Sequence, residues 1–193
     1  MFDDGRRTTD DRRPTTDDGQ RCDEYGGRQS SFVSRPVLVL GLGNPLQADD
    51  GVGCRVAEAL AGRKLPPDVE VMDAGTPGVG LINLLEGRQR AIIVDAAEMG
   101  RQPGEVVRFR PEDVTLTGST ERFSLHRTAV ADALALARAL NLPLPEIVIF
   151  GVQPGAIGWR DELSPEVAAA VPALVDAILE EVRRKAERVT SNE

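Results

Sequence analysis

Val37-Leu38-Val39-Leu40-Gly41-Leu42-Gly43-Asn44-Pro45-Leu46-Gln47-Ala48-Asp49-Asp50-Gly51-Val52-Gly53 is the stretch on which the fold turns. Its first four residues form an unbroken apolar run, the pattern of a strand buried on both faces. Residues 51–60 then carry helical spacing through Val52, Val56, Ala59 and Leu60. Outward from this β–α start, Val69-Glu70-Val71-Met72 alternates like a strand and stops at Asp73-Ala74-Gly75-Thr76. Residues 78–85 read as a helix, and Ala91-Ile92-Ile93-Val94 as a third strand ending at Asp95. Pro103-Gly104 turns into a short strand over residues 105–109, on a connection too brief for a parallel crossover. Residues 126–140, starting at His126, read as a helix rich in alanine and leucine, and residues 146–150 as a last strand. Ser164-Pro165-Glu166 opens the closing helix as N-cap, first-turn proline and dipole-matched acid, with Arg183-Arg184-Lys185 favourable at its end. The order β-α-β-α-β-β-α-β-α predicts a single α/β domain. Its sheet should be mostly parallel, five-stranded and twisted, with helices on both faces and one antiparallel strand.

The chain has 193 residues, enough for one ordinary domain. A formal net charge of −8 argues against a grip on phosphate backbones, so no nucleic-acid partner is expected. Two cysteines, Cys22 and Cys54, exclude a disulfide framework or a cysteine-rich metal site. No run approaches the roughly 18 apolar residues of a membrane span, so no membrane insertion and a cytoplasmic location are expected. Residues 1–34 contain DDGRRTT from Asp3, DDRRPTT from Asp10 and DDGQR from Asp17, with almost nothing apolar to bury. They are expected to be a disordered low-complexity tail holding Cys22, and residues 35–193 the folded domain.

In open α/β sheets, ligands bind beyond the carboxyl ends of the strands. Those ends carry Asp49-Asp50-Gly51, Asp73 and Asp95, and the start of a helix carries His126, the chain's one histidine. Gly41-x-Gly43 suggests a dinucleotide loop, but the third glycine would fall at Leu46 and Pro45 interrupts the turn. Asp49 and Asp50 would also stand where a pyrophosphate needs backbone amides. The same words resemble the opening of peptidyl-tRNA hydrolases, yet no histidine lies between Asn44 and His126. Two carboxylates and an imidazole suit nickel, zinc or manganese, and three ligands leave positions open for substrate or water. A helix N-terminus would help to keep His126 neutral and able to coordinate. A lone histidine at a helix start and aspartates at strand ends are equally ordinary surface and turn chemistry. Spacing alone leaves both readings open.

The wording of the motifs goes further. Residues 41–53 resemble the opening motif of the hydrogenase maturation endopeptidases, and Asp73-Ala74-Gly75-Thr76 resembles their second. Ile92-Ile93-Val94-Asp95-Ala96, with Gly100 and Pro103-Gly104, is similar to their third. Ser124-Leu125-His126 resembles the histidine motif, and Gly151-Val152-Gln153-Pro154 with Gly158 completes the set. The phrasing of residues 94–100 and of Gln153-Pro154 is most similar to the branch that processes the formate-hydrogenlyase type of [NiFe] hydrogenase. The resemblance spans residues 37–179, in family order.

What it implies is an endopeptidase that removes a short C-terminal peptide from the precursor of a [NiFe] hydrogenase large subunit. Nickel, supplied by the precursor, is the recognition signal, and Asp50, Asp95 and His126 would touch it. Many members have Glu at the first of these positions; Asp50 is one methylene shorter. Two carboxylates and an imidazole make an incomplete site, to be completed by the precursor's own thiolates. Water polarised by nickel, or a carboxylate as general base, is the expected attack, with Asp73 the candidate base and Asp50 sharing the catalytic assignment. A turn role for Asp73 stays equally open. Asp49 reads as a turn-former or local hydrogen-bond acceptor, and Cys54 as a small buried hydrophobe. Trp159 covers the site, packs a partner or belongs to the core. A nickel-dependent binding protein or metallochaperone, holding the precursor without cutting it, is the competing class.

Overall fold

The computed structural model describes residues 36–113, 124–125 and 129–190. The expected tail over residues 1–34 lies outside the described residues, as do Cys22 and His126. In chain order the elements are β1 (Val37–Leu42), a 3-10 turn (Ala48–Gly51), α1 (Val52–Ala61) and β2 (Val69–Gly75). A second 3-10 turn (Gly78–Gly80) runs into α2 (Leu81–Leu85), followed by β3 (Arg90–Glu98), β4 (Val106–Phe109) and β5 (Ser124–Leu125). The chain closes with α3 (Ala129–Ala139), β6 (Glu146–Val152) and α4 (Pro165–Thr190).

The main sheet runs β2-β1-β3-β6-β4. β1 lies parallel to β2 and β3, β3 lies parallel to β6, and β4 closes the far edge antiparallel to β6. This is the five-stranded, mostly parallel sheet with one antiparallel strand that the sequence predicts. β5 is an addition: two residues pair antiparallel with the end of β3, Leu125 opposite Ala97 and Ser124 opposite Glu98. A two-residue strand leaves no periodicity to read.

Side-chain alternation along β1 divides the core in two. Val37 and Val39 point with Ile92, Val94, Val148 and Phe150 toward α1 and α4, where Val56, Leu60, Leu174 and Ile178 meet them. Leu38, Leu40 and Leu42 point the other way, with Ile93 and Ile149, toward Leu81 and Leu85 of α2 and Leu134 of α3. Each such side chain, fully buried, contributes roughly 1.5–3 kcal/mol, so a sheet covered on both faces holds its backbone firmly.

Several boundaries differ from the expectation. β2 continues through Asp73 to Gly75, and β3 through Asp95 to Glu98, because their neighbours go on pairing: Gly41 with Asp73, Asp95 with Gly151, Ala96 with Val152. Asp95 therefore lies inside a strand rather than beyond it. α3 is described from Ala129, and its expected start at His126 lies outside the described residues. α4 runs on to Thr190, past Arg183-Arg184-Lys185, since the residues that follow include good helix formers.

Opposite the strands' carboxyl ends, Arg90 and Glu181 form a buried ion pair joining β3 to α4. Arg90 Nη1 also donates to the Glu181 carbonyl at 2.9 Å, and Arg108 of β4 donates through Nε and Nη2, both at 2.9 Å, to the Glu181 carboxylate. This clamp leaves the other end of the sheet for the candidate site.

Candidate functional site

β1 and β2 end side by side, and β3 runs on past them. Gly41 is level with Asp73 on one side and with Val94 on the other, one residue short of Asp95. α1 starts directly against this edge. A Cβ on Gly53 would lie 2.3 Å from the Leu42 carbonyl oxygen and 2.4 Å from that of Val94, so only glycine lets the helix begin here. Gly43, at φ +115°, makes the preceding turn; its Cβ would fall 1.7 Å from the Asp50 carbonyl oxygen. Between them the 3-10 turn folds Asp49 and Asp50 inward, and both are buried.

The two neighbouring aspartates have different partners. Asp49 is a structural buckle: its Oδ2 accepts from the backbone N–H groups of Gly155 and Ala156, both at 2.8 Å, and from the Ser164 hydroxyl at 2.8 Å. Its Oδ1 accepts from the Ser164 N–H at 2.6 Å. Burial would raise its pKa, but these donors outweigh it and hold the carboxyl below its ordinary value. The acceptor role expected for Asp49 is thus present, although its partners are remote rather than local. Asp50 accepts the Asn44 N–H at Oδ2, 2.7 Å away.

Asp95 is buried in β3, and its Oδ1 has no hydrogen-bond partner among the described residues. Burial, and next the charge of Asp50, push its pKa up to about 7, against a smaller opposing hydrogen bond from the Ala96 backbone. Two carboxylates thus share a poorly solvated space, one of them with an unsatisfied oxygen. Such a pair is stabilised by a cation brought from outside.

Asp73 stands on the exposed edge strand. Its Oδ1 accepts the Gly75 N–H at 3.0 Å, which is the turn role left open by the sequence, and its carboxylate remains accessible. Cys54 is buried as expected, but it belongs to this site as well as to the core. Its thiol donates to the Gly43 carbonyl at 3.3 Å. Burial, with a hydrogen bond to Asp73 and the charges of Asp73 and Asp50, pushes it up to about 12. It is a protonated donor at neutral pH and no nucleophile. The clue in the sequence was its place four residues after Asp50, in the first turn of the helix.

His126 lies outside the described residues; the residue before it, Leu125, pairs with Ala97, two positions beyond Asp95. Among the described residues, no group of three or more His, Cys, Asp or Glu is arranged to hold a metal. Gln153, near the end of β6, ties the loop after β3: its Oε1 accepts from Met99 N at 2.7 Å and Arg101 N at 3.2 Å, and its Nε2 donates to Glu98 at 2.9 Å. Trp159, at 83% exposure, is no core residue. No helix among the described residues is long and apolar enough to cross a membrane.

Residues 54–181 match the hydrogenase maturation protease family. The hydrogenase expression/formation protein HupD of Rhodobacter capsulatus is 34% identical over 155 residues, 79% of this chain and 74% of that protein. The hydrogenase 2 maturation protease of Escherichia coli is 33% identical over 149 residues, 76% of this chain and 90% of its own. Among solved structures, the hydrogenase maturating endopeptidase HybD from E. coli superposes with a TM-score of 0.67 at 32% identity, over 77% of this chain and 93% of that one. The [NiFe] hydrogenase maturation protease HybD from Thermococcus kodakarensis gives 0.63 at 33% identity, over 76% and 98%. These similarities carry the family and no branch within it.

Proposed function

The chain belongs to the hydrogenase maturation protease family and is a hydrolase, and from that premise we propose that it removes a short C-terminal peptide from the nickel-loaded precursor of a [NiFe] hydrogenase large subunit. The observation that carries this reading is the Asp50–Asp95 pair: two buried carboxylates side by side, with Asp95 Oδ1 unsatisfied among the described residues. A soft, fully coordinated metal would need more donors than the pair offers. A nickel ion that arrives with the precursor's own ligands needs only a few carboxylate or imidazole contacts to complete it. Asp50, Asp95 and His126 are the proposed contacts, and nickel belongs to the substrate.

Affinity then depends on the cargo. An empty precursor brings no positive charge to the two carboxylates, and a loaded one supplies the charge that favours their burial. Insertion of nickel becomes a condition for cleavage. Asp73 is the proposed general base: it is accessible, it lies on the strand beside β1, and the Gly75 N–H holds its carboxylate in orientation. Asp50 shares the work by fixing the substrate against the strand ends.

The test is mass spectrometry of a cognate large-subunit precursor incubated with the chain, with and without nickel in the precursor. Loss of a defined C-terminal peptide from the loaded form only is the expected result. Stable nickel-dependent binding without loss of mass would replace the protease with a metallochaperone, and cleavage of both forms would remove the nickel requirement.

A further inference from the structure

Beside Asp50, two loops are joined into one rim. The Ala48 N–H donates to the Arg160 carbonyl at 2.6 Å, the Arg160 N–H to the Leu46 carbonyl at 3.0 Å, and the Asp49 N–H to the Ala156 carbonyl at 3.1 Å. The Asp49 carboxylate adds its bonds to Gly155, Ala156 and Ser164, and Ala48 is held at φ +51°, a conformation few non-glycine residues adopt. The rim is therefore built and ordered, yet it shows apolar side chains to solvent: Leu46 at 56% exposure, Ile157 at 56% and Trp159 at 83%. Scattered exposed leucines need no explanation, but three large apolar side chains on one fixed pair of loops, one of them tryptophan, have the composition of an interface centre.

We propose that this rim is the docking surface for an apolar segment of the hydrogenase large-subunit precursor, an inference that rests on the protease reading above. The occupant follows from continuity. Leu46 lies two residues from Asn44, whose N–H holds Asp50, and the rim's own turn carries Asp50 itself. A macromolecule that brings a metal ion to Asp50 meets the same turn. Docking there covers the apolar rim and closes water out of the site, while the Asp49 buckle keeps the rim and Asp50 in fixed register. The nickel contact selects loaded precursor, and the rim supplies binding that a few metal contacts lack.

Trp159 is the chain's only tryptophan, so incorporation of 5-fluorotryptophan gives the full-length protein a single fluorine resonance. Nickel-loaded precursor, unlabelled, is titrated in while its mass is followed in parallel. The expected result is a shifted or broadened resonance that saturates with the precursor. Trp159→Ala and Ile157→Ser should each raise KM for cleavage at least tenfold, with kcat within about twofold. A resonance that stays in place while the precursor is cleaved overturns the rim and leaves the protease intact, and so does a KM within twofold of the parent. A resonance that moves without any cleavage keeps the rim and removes the protease reading. No movement and no cleavage removes both.

Discussion

Asp49 and Ser164, 115 residues apart, are joined twice: the Ser164 N–H donates to Asp49 Oδ1 at 2.6 Å and its hydroxyl to Oδ2 at 2.8 Å. The carboxylate thus occupies the entrance of α4 and, through Gly155 and Ala156, the loop before it. Hydrogen bonds to a charged group contribute about 1.5–3 kcal/mol each, and orphaned buried donors cost about 1–3 kcal/mol. Asp49→Ala should therefore destabilise the fold by roughly 3–5 kcal/mol, read as a lower urea midpoint at unchanged slope.

The same residue sets a pH dependence. Its folded pKa lies below the ordinary 3.8, so its contribution is complete above that value and is lost as pH falls through the folded one. Glu181, also lowered, first by its hydrogen bonds from Arg108, acts with the same sign. The stability of Asp49→Asn, measured against pH below about 4, should fall less steeply than that of the parent. Parallel curves would refute the linkage.

Glu181 and Arg90 are a buried pair, whereas Arg108 is partly exposed. Removing Glu181 leaves the buried Arg90 only its longer 3.7 Å pairing with Glu146 and should cost about 3 kcal/mol, while Arg108→Ala should cost about 1 kcal/mol. Chemical unfolding of the two variants checks the order, and equal losses would show that burial at Arg90 does not govern the clamp.

Gly53→Ala tests how closely α1 seats on the sheet. The new Cβ meets the backbone oxygens of Leu42 and Val94, neither of which can rotate away as a side chain would. A loss above about 3 kcal/mol is expected, large enough to prevent folding. Gly62→Ala is the control: it meets nothing closer than 3.7 Å at φ −80° and should stay within about 0.5 kcal/mol of the parent. Thermal melts of both decide.

How much of this was legible beforehand depends on the scale of the signal. The apolar runs at β1 and β3 announce buried parallel strands, and the loop after β1 announces where chemistry would gather. The strand ends were misplaced because Asp73 and Asp95 look like punctuation, while backbone pairing, which no single sequence displays, carries β2 and β3 past them. The hydrogen bonds of Asp49 were hidden for the same reason: its partners follow a different strand. Cys54 read correctly as buried, but its neighbour Asp73 comes from another element. His126 and the tail lie outside the described residues, and His126, like Asp50 and Asp95, is a proposed nickel contact drawn from the motif.

Removal of residues 1–34 should leave both stability and the rate of precursor cleavage within about twofold, since their composition offers almost nothing apolar to bury. A rate drop of tenfold or more in the shortened chain would assign precursor recognition to the tail.

Asp95 offers the sharpest separation of stability from function. It is buried, it leaves Oδ1 unsatisfied among the described residues, and it sits beside the charge of Asp50. A carboxylate placed there for the fold alone would be poorly placed, because burying an unpaired charge opposes folding. Asp95→Asn removes that charge with little change of shape, so at pH 8 it should melt no lower than the parent. The same change weakens the proposed nickel contact, and cleavage of loaded precursor should fall by about a hundredfold, roughly 2.7 kcal/mol in the barrier. His126→Ala should match it in activity and keep the parent's circular dichroism. If Asp95→Asn instead unfolds the chain, the carboxylate is a structural member of β3. If it retains full cleavage, nickel is held elsewhere.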